Sequence, residues 1–319
     1  MEKLFQKISF ASASLVLVIL LGIFITLFNA SKPAINEFGL GFITDPTWNK
    51  EVVIDSPQTN IPKEAPVINE NAMMSDDSMI IADEDAVDRK TKTLFGGFIP
   101  IVGTLLSTLI ALVFSLPIAM GIAVFLAEIA PKNISHIVGI GIELLAAIPS
   151  IIFGMWGLYY FAPIISNIFG GYQVSLLTAG LVLGVMILPF MAAVTRDSMN
   201  TTPDVLKESA YALGATKFEV IKDIIFPYSK VGIIGSIILA LGRALGETMA
   251  VAFLIGSVFS LPTSINSPTV SIPVAMANNF GEANGIGESA LFYLGLILFI
   301  ISFAVISLAK IYFLKGHKS

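Results

Sequence analysis

The chain has 319 residues, of which 55% are hydrophobic and only 13% are charged, and its formal net charge is −5. Soluble domains carry about 25% charged residues, so this composition and the mean hydropathy of +0.85 indicate a protein embedded in a membrane. The absence of cysteine excludes disulfides and thiolate metal sites, and a total of two histidines argues against a zinc site.

Six apolar runs are long enough to cross about 30 Å of hydrocarbon, which takes roughly 20 helical residues. They cover residues 9–29, 97–127, 137–162, 174–195, 229–256 and 289–313. The first run has a longer apolar part than the core of a signal peptide, so we expect an uncleaved helix. The sequence therefore predicts an all-α membrane protein with six transmembrane helices.

The distribution of basic residues predicts the orientation. Lysine and arginine occur at both ends of the chain and in the loops after the second and fourth spans, whereas the short loops 163–173 and 257–288 have none. Because short cytoplasmic loops carry the excess of basic residues, we expect both termini in the cytoplasm.

The stretch between the first two spans, residues 31–96, carries twelve acidic residues and five prolines. From about residue 50 to 92 it has no sustained periodicity, as is typical of a solvated external loop. The alternative is a docking surface for an external partner. We expect the chain to divide into an N-terminal helix over 1–30, this extracytoplasmic loop, and a five-helix core over 97–315.

The segment 196–228, between the fourth and fifth spans, has the pattern of two short helices joined by a turn. Thr202 is expected to cap the first helix, with Pro203 at its first position. This helix should run to about Leu213 and stop at Gly214, a residue suited to a left-handed helix terminus.

The second helix of this segment is expected to begin at Thr216, because Thr216 and Glu219 have the spacing of a capping box. Pro227 is expected to end it before the fifth span. The segment therefore predicts a compact cytoplasmic hairpin, either a lever for a partner protein or an amphipathic surface hairpin without one.

Two opposite charges, Arg243 and Glu247, lie inside the apolar fifth span. A charge at the centre of a bilayer costs roughly 2.5–3.5 kcal/mol on insertion scales, so the pair needs a reason to be there. Four residues apart, the two side chains would share one helix face. That face is expected to line the bundle interior or an aqueous path for an anion, and the alternative is a structural ion pair.

The cytoplasmic hairpin carries a recognisable motif. Glu208-Ser209-Ala210 is followed after three residues by Gly214, and nine residues later by Ile224-Ile225-Phe226-Pro227. This resembles the EAA loop of ABC importer permeases, whose pattern is Glu-Ala-Ala, three residues, Gly, nine residues, Ile-x-Leu-Pro. Two residues depart from the pattern and the spacing is intact. In that family the loop is a coupling helix that sits in a groove of the cytoplasmic ATPase.

Two further stretches narrow the resemblance to phosphate permeases. Residues 148–158 are similar to the third span of the PstC family, and residues 242–251 to the fifth span of the PstC and PstA families. The run Met155-Trp156-Gly157 favours PstC over PstA. The resemblance covers about 1–48 and 94–315, and the intervening residues 50–93 look like an insertion.

The resemblance implies a type I ABC importer (MetI-like) permease in a bacterial plasma (inner) membrane. It implies as partners a PstA-like permease subunit, a PstB-like ATPase dimer that holds ATP and Mg, and a PstS-like phosphate-binding protein. The chain contains no Gly-x-x-x-x-Gly-Lys-Ser/Thr loop, so it is not expected to hydrolyse ATP itself. The residues implied for coupling to the ATPase are Glu208, Ser209, Ala210, Gly214 and Pro227.

In this interpretation Arg243 offsets the charge of phosphate, because the guanidinium fork matches phosphate oxygens. Glu247 accepts a hydrogen bond from the proton that phosphate keeps at neutral pH and sulfate lacks. The alternatives are a permease for sulfate or molybdate, an ATP-independent secondary transporter or channel, and an intramembrane enzyme. For an enzyme the apolar spans lack a histidine base, a cysteine nucleophile and a Gly-x-Ser-x-Gly elbow.

Overall fold

The computed structural model describes residues 2–53 and 91–314. Within these residues the helices are α1 (Glu2–Phe38), α2 (Phe98–Val124), α3 (Lys132–Ala146), α4 (Ser150–Trp156), α5 (Ala162–Phe169), α6 (Leu176–Asn200), α7 (Asp204–Ala212), α8 (Lys217–Glu219), α9 (Phe226–Leu245), α10 (Met249–Ala252), α11 (Ile272–Asn279) and α12 (Ile286–Leu314). The strands are β1 (Lys50–Val53) and β2 (Thr91–Leu94).

The part of the chain that is described contains 6 helical segments long and apolar enough to cross a membrane. They are Lys3–Ile43, Phe98–Ile129, Ser150–Phe169, Leu176–Asn200, Lys217–Leu245 and Ile286–Ile311. The predicted all-α architecture with six transmembrane helices is confirmed. The third span differs from the predicted 137–162, because the chain leaves the helix after Ala146 and Pro149 precedes a new helix start.

Three π-helical turns interrupt the helical rods, at Phe125–Ile129, Gly157–Phe161 and Val220–Ile225. Each is followed two residues later by a proline: Pro131, Pro163 or Pro227. A proline lacks the backbone N–H and its ring clashes with a carbonyl of the preceding turn, and a π turn widens the helix at that place. The prediction that Pro227 ends the helix is wrong, since Lys217–Leu245 forms one continuous helical segment.

Helix α6 lies at the centre of the bundle and packs against α2, α9 and α3. Its residues Val182, Leu183 and Ile187 are almost completely buried. A buried hydrogen bond of 2.8 Å between Thr195 Oγ1 and Ser236 Oγ joins α6 to α9. Helix α1 packs at the periphery against α12. Close packing and a few interhelical hydrogen bonds hold membrane helices together, and α2, α6 and α9 form the closely packed centre of the bundle.

Aromatic stacking organises the side of the bundle where the first and fifth spans end. Trp48 stacks on Phe259 with ring centroids 4.8 Å apart, and Phe42 stacks on Tyr293 at 4.6 Å. Strands β1 and β2 pair antiparallel, with Lys50 opposite Leu94. The predicted loop 31–96 begins later than expected because α1 continues to Phe38. Residues 54–90 of the predicted insertion lie outside the described residues.

Gly103 lies where α2 approaches the chain that precedes α11. A Cβ added there would overlap the carbonyl oxygen of Val270, whereas one added at Gly121 of the same helix meets no atom within 4 Å. We expect Gly103→Ala to destabilise the protein by about 1–3 kcal/mol, as overpacking does, and Gly121→Ala to be neutral. Thermal unfolding in detergent checks this, and equal Tm values for both variants would contradict it.

Candidate functional site

The two charges of the fifth span lie at a break in the helix. Helix α9 ends at Leu245 with Arg243 in its last turn, and Glu247 lies between α9 and α10. The prediction that the two share one helix face is therefore wrong, since Gly246 is the C-cap and the helix stops there. Among the described residues Arg243 and Glu247 form no ion pair.

Each of these charges is placed where the backbone favours it. Arg243 is the basic residue of the last turn of α9, where free carbonyls attract cations. The Oε1 atom of Glu247 accepts a hydrogen bond of 3.2 Å from the backbone N–H of Ala250, at the start of α10. The break therefore stabilises both charges separately and leaves each able to make a further contact.

The chain beyond the break packs into the core while Arg243 stays on the surface. Ala250 and Val251 of α10 are almost fully buried, and α10 packs against α4. A Cβ added at Gly154 of α4 would lie 3.0 Å from the Cα of Ala250, so the two segments touch at the backbone. Arg243 is exposed in the single chain and Glu247 is partly exposed.

The hairpin between α6 and α9 forms close to the predicted positions. Helix α7 spans Asp204–Ala212, and Gly214 has a φ of 89°, which suits glycine. The predicted capping box is confirmed: the N–H of Thr216 donates to Glu219 Oε2 at 2.7 Å, and the N–H of Glu219 donates to Thr216 Oγ1 at 3.4 Å.

The predicted cap at Thr202 is wrong. Pro203 directly precedes α7 and offers no capping side chain. The Oγ1 atom of Thr202 is buried and lacks a hydrogen-bond partner in the described chain. Leu206 N–H instead donates to the carbonyl of Pro203 at 3.0 Å, so backbone bonding starts this helix.

The hairpin presents large apolar side chains to its surroundings. The relevant exposures are Val205 70%, Leu206 42%, Tyr211 44%, Leu213 90% and Phe218 71%. Exposed apolar patches on a soluble face mark interaction sites. These five side chains therefore have the exposure that is expected of an interaction surface.

The five residues implied for coupling occupy different positions on this hairpin. Glu208 and Ser209 are exposed, Ala210 is half-buried, and Gly214 forms the turn. Pro227 lies in the first turn of α9. Ser209, which replaces an alanine of the family pattern, donates from Oγ to the carbonyl of Val205 at 2.7 Å. Its hydroxyl group is therefore hydrogen-bonded within the helix.

Two ion pairs lie near the hairpin, and the pair that involves Glu128 was not predicted from the sequence. Lys207 Nζ lies 2.6 Å from Glu128 Oε1, and Arg196 Nη2 lies 3.3 Å from Glu143 Oε1. Both pairs join residues far apart in the chain, so spacing gives no signal for them. The one available hint is that Glu128 is an acidic residue at the end of an apolar span.

Comparison with known families identifies the class of protein. The family described as "Binding-protein-dependent transport system inner membrane component" matches residues 115–314, from the middle of α2 to the end of α12. The chain belongs to this family of ABC importer permeases. Its fold and its exposed hairpin both agree with that membership.

Particular relatives are more informative about the subgroup. The chain is 40% identical over 338 aligned positions to the phosphate transport system permease protein PstC of Haemophilus influenzae, covering 100% of this chain and 95% of the relative. It is 49% identical over 244 residues to PstC of Pasteurella multocida, covering 70% of this chain and 76% of the relative.

A solved structure of the MetNI methionine ABC transporter in an inward-facing conformation is similar to this fold. The TM-score is 0.51 at 17% identity, and the match covers 66% of this chain and 90% of that chain. At this identity the likeness concerns the fold, which is the predicted MetI-like permease fold.

Proposed function

We propose that this chain is the PstC-type permease subunit of an ATP-driven importer of inorganic phosphate. The observation that carries the proposal is the similarity along the whole chain to a phosphate transport permease. The relatives reported above are phosphate transport permeases, which favours phosphate over sulfate or molybdate as the substrate. An ATP-independent transporter would have no use for the exposed apolar hairpin.

The proposed assembly contains partners on both sides of the membrane. A PstA-like permease subunit would complete the translocation path, and a PstB-like ATPase dimer with ATP and Mg would receive the hairpin. A PstS-like protein would deliver phosphate from outside. The exposure of Leu213 and Phe218 supports a protein contact at the hairpin, and the exposure of Arg243 supports a path between two subunits.

The proposed location is the bacterial plasma membrane with both termini in the cytoplasm. Six crossings return the chain to the side from which it starts. The hairpin follows the fourth span and Glu128 lies at the end of the second, so the contact between Lys207 and Glu128 agrees with a common side for these two ends. The loop 31–96 would then be extracytoplasmic, and the permease core would comprise residues 97–315 with the coupling loop 196–228.

In the proposed mechanism the break after Leu245 forms part of the substrate path. Arg243 offers forked N–H donors to phosphate oxygens, and its charge offsets that of the anion during passage. Glu247 holds the start of α10 with one oxygen. Its second carboxylate oxygen is able to accept a hydrogen bond from the protonated oxygen of phosphate.

Replacing Glu247 by glutamine is expected to relax discrimination against sulfate. Sulfate carries no proton at neutral pH and would meet a bare carboxylate in the wild type, whereas an amide also donates hydrogen bonds. Competition of sulfate with labelled phosphate, measured without the external binding protein in vesicles that permit binding-protein-independent transport, checks this. Unchanged selectivity would remove the proton-acceptor role, and Glu282→Gln in the outer loop is the control.

Restoration of phosphate uptake in cells that lack this chain tests the proposed function directly. Plasmid-borne wild-type chain should restore energy-dependent uptake of labelled phosphate at micromolar concentration. If uptake of sulfate or molybdate is restored instead, the substrate assignment is wrong and the permease class stands.

A further inference from the structure

Helix α7 of the hairpin touches the membrane bundle through one narrow face. Of its nine residues, Lys207 and Ala210 are half-buried and the others are exposed. The two lie three positions apart, which puts them on the same face of the helix. Ala210 packs against a small apolar cluster that includes Ala123 of α2 and Val220 of the hairpin's own second arm.

Lys207 makes the polar contact of this face. Its Nζ donates to Glu128 Oε1 at 2.6 Å, and the two side chains are only 16% and 10% exposed. Asp204, 87% exposed, is a more distant neighbour at 3.9 Å. Glu128 belongs to the π turn that ends α2, and Ser135 Oγ secures this turn by donating to the carbonyl of Leu126 at 2.7 Å.

A largely buried ion pair is weak evidence for stability, because well-packed apolar side chains often stabilise equally well. What an ion pair adds here is an attractive force between two particular side chains, Lys207 on α7 and Glu128 at the end of the second span. The packing of Ala210 transmits a push toward the bundle, whereas a pull on α2 requires an attractive contact. The ion pair provides that contact, and α2 packs in turn along α6 and against α9, the helix that carries Arg243.

We propose that the Glu128–Lys207 ion pair transmits movement of the coupling hairpin to α2, and that both are positioning residues for transport. The inference rests on the proposed function, in which an ATPase moves the hairpin. Without the pair, ATP would still be hydrolysed and the hairpin would still move, but α2 would follow only partly.

The test uses the complete transporter complex in proteoliposomes with the external binding protein. The measured quantity is the amount of phosphate transported per ATP hydrolysed. We expect Glu128→Gln and Lys207→Met to lower this ratio at least tenfold while ATPase activity persists. Lys207→Arg and the charge-swapped double variant E128K/K207E should recover at least half of the wild-type ratio.

Lys222→Met is the matched control, because Lys222 lies on the same hairpin in an exposed pair with Asp223, with side-chain exposures of 63% and 60%. Its ratio should equal that of the wild type. Single variants that assemble and keep a ratio within twofold of wild type would overturn the proposal. If the single variants do not assemble, the swap decides: recovered transport supports the role, and a swap that fails to assemble or to transport overturns it. Failure of the proposed function would instead appear in the wild-type complex, as absent ATP-driven phosphate uptake.

Discussion

Replacing Arg243 by alanine is expected to lower phosphate uptake roughly 100-fold without loss of the protein from the membrane. Hydrogen bonds to charged groups contribute about 1.5–3 kcal/mol each, and 1.4 kcal/mol corresponds to a tenfold change. Loss of the two N–H donors of the guanidinium fork therefore predicts an effect of this order. The side chain is exposed in the single chain, so folding should not depend on it.

The measurement is initial uptake of labelled phosphate in cells that lack the chromosomal copy, at matched membrane levels of each variant. Arg243→Lys should fall between wild type and alanine, since lysine keeps the charge without the fork. Lys230→Ala is the matched control, because Lys230 is an exposed cation on the same helix. If Arg243→Ala and Lys230→Ala both restore full uptake, Arg243 has no role in the substrate path.

Replacing Leu213 by aspartate is expected to weaken association with the ATPase roughly 30-fold or more while leaving the permease folded. Leu213 is 90% exposed, and surface substitutions of this kind usually change stability by about 0.5 kcal/mol or less. If Leu213 is a hot spot of the interface, its loss costs about 2 kcal/mol or more, which corresponds to roughly 30-fold weaker binding. The carboxylate would also have to be desolvated against the partner.

Co-purification of the ATPase with the tagged permease, followed by titration in nanodiscs, measures this effect. Leu40→Asp is the control. Leu40 is 79% exposed and lies near the C-terminal end of the first span, which the proposed topology places on the side of the membrane away from the ATPase. Equal recovery of ATPase with both variants would mean that the hairpin does not dock through this side chain.

Much of this architecture follows from local sequence patterns. The six spans are visible as long apolar runs, so their number can be predicted without knowing any tertiary contact. The second arm of the hairpin was predictable because a capping box is satisfied within four residues, from Thr216 to Glu219. The glycine turn at Gly214 was predictable for the same reason, since its positive φ is a local requirement.

The features that the sequence did not predict depend on competition between local and tertiary effects. The helix break after Leu245 was missed because residues 229–256 are uniformly apolar apart from three charges, which resembles a continuous span. In the structure the chain beyond the break is buried against α4, so packing overrides helix continuation. Pro227 was predicted to end the helix, whereas the helix continues past it through a π turn at Val220–Ile225.

The Glu128–Lys207 ion pair was beyond prediction for a different reason. Glu128 and Lys207 are 79 positions apart, and only the packing of α7 below α2 brings them together. The cap expected at Thr202 failed because that side chain is drawn into the bundle, where it is 3% exposed. Long-range burial, which a single sequence does not specify, decides both cases.

The most direct test of the central claim is ATP-dependent phosphate uptake by the purified complex. The wild-type chain is reconstituted in proteoliposomes with the second permease subunit, the ATPase and the phosphate-binding protein. We predict that labelled phosphate accumulates inside only when ATP and Mg reach the ATPase, and that sulfate does not accumulate. Accumulation of phosphate without ATP, or no accumulation by an assembled complex with ATP, would contradict the account.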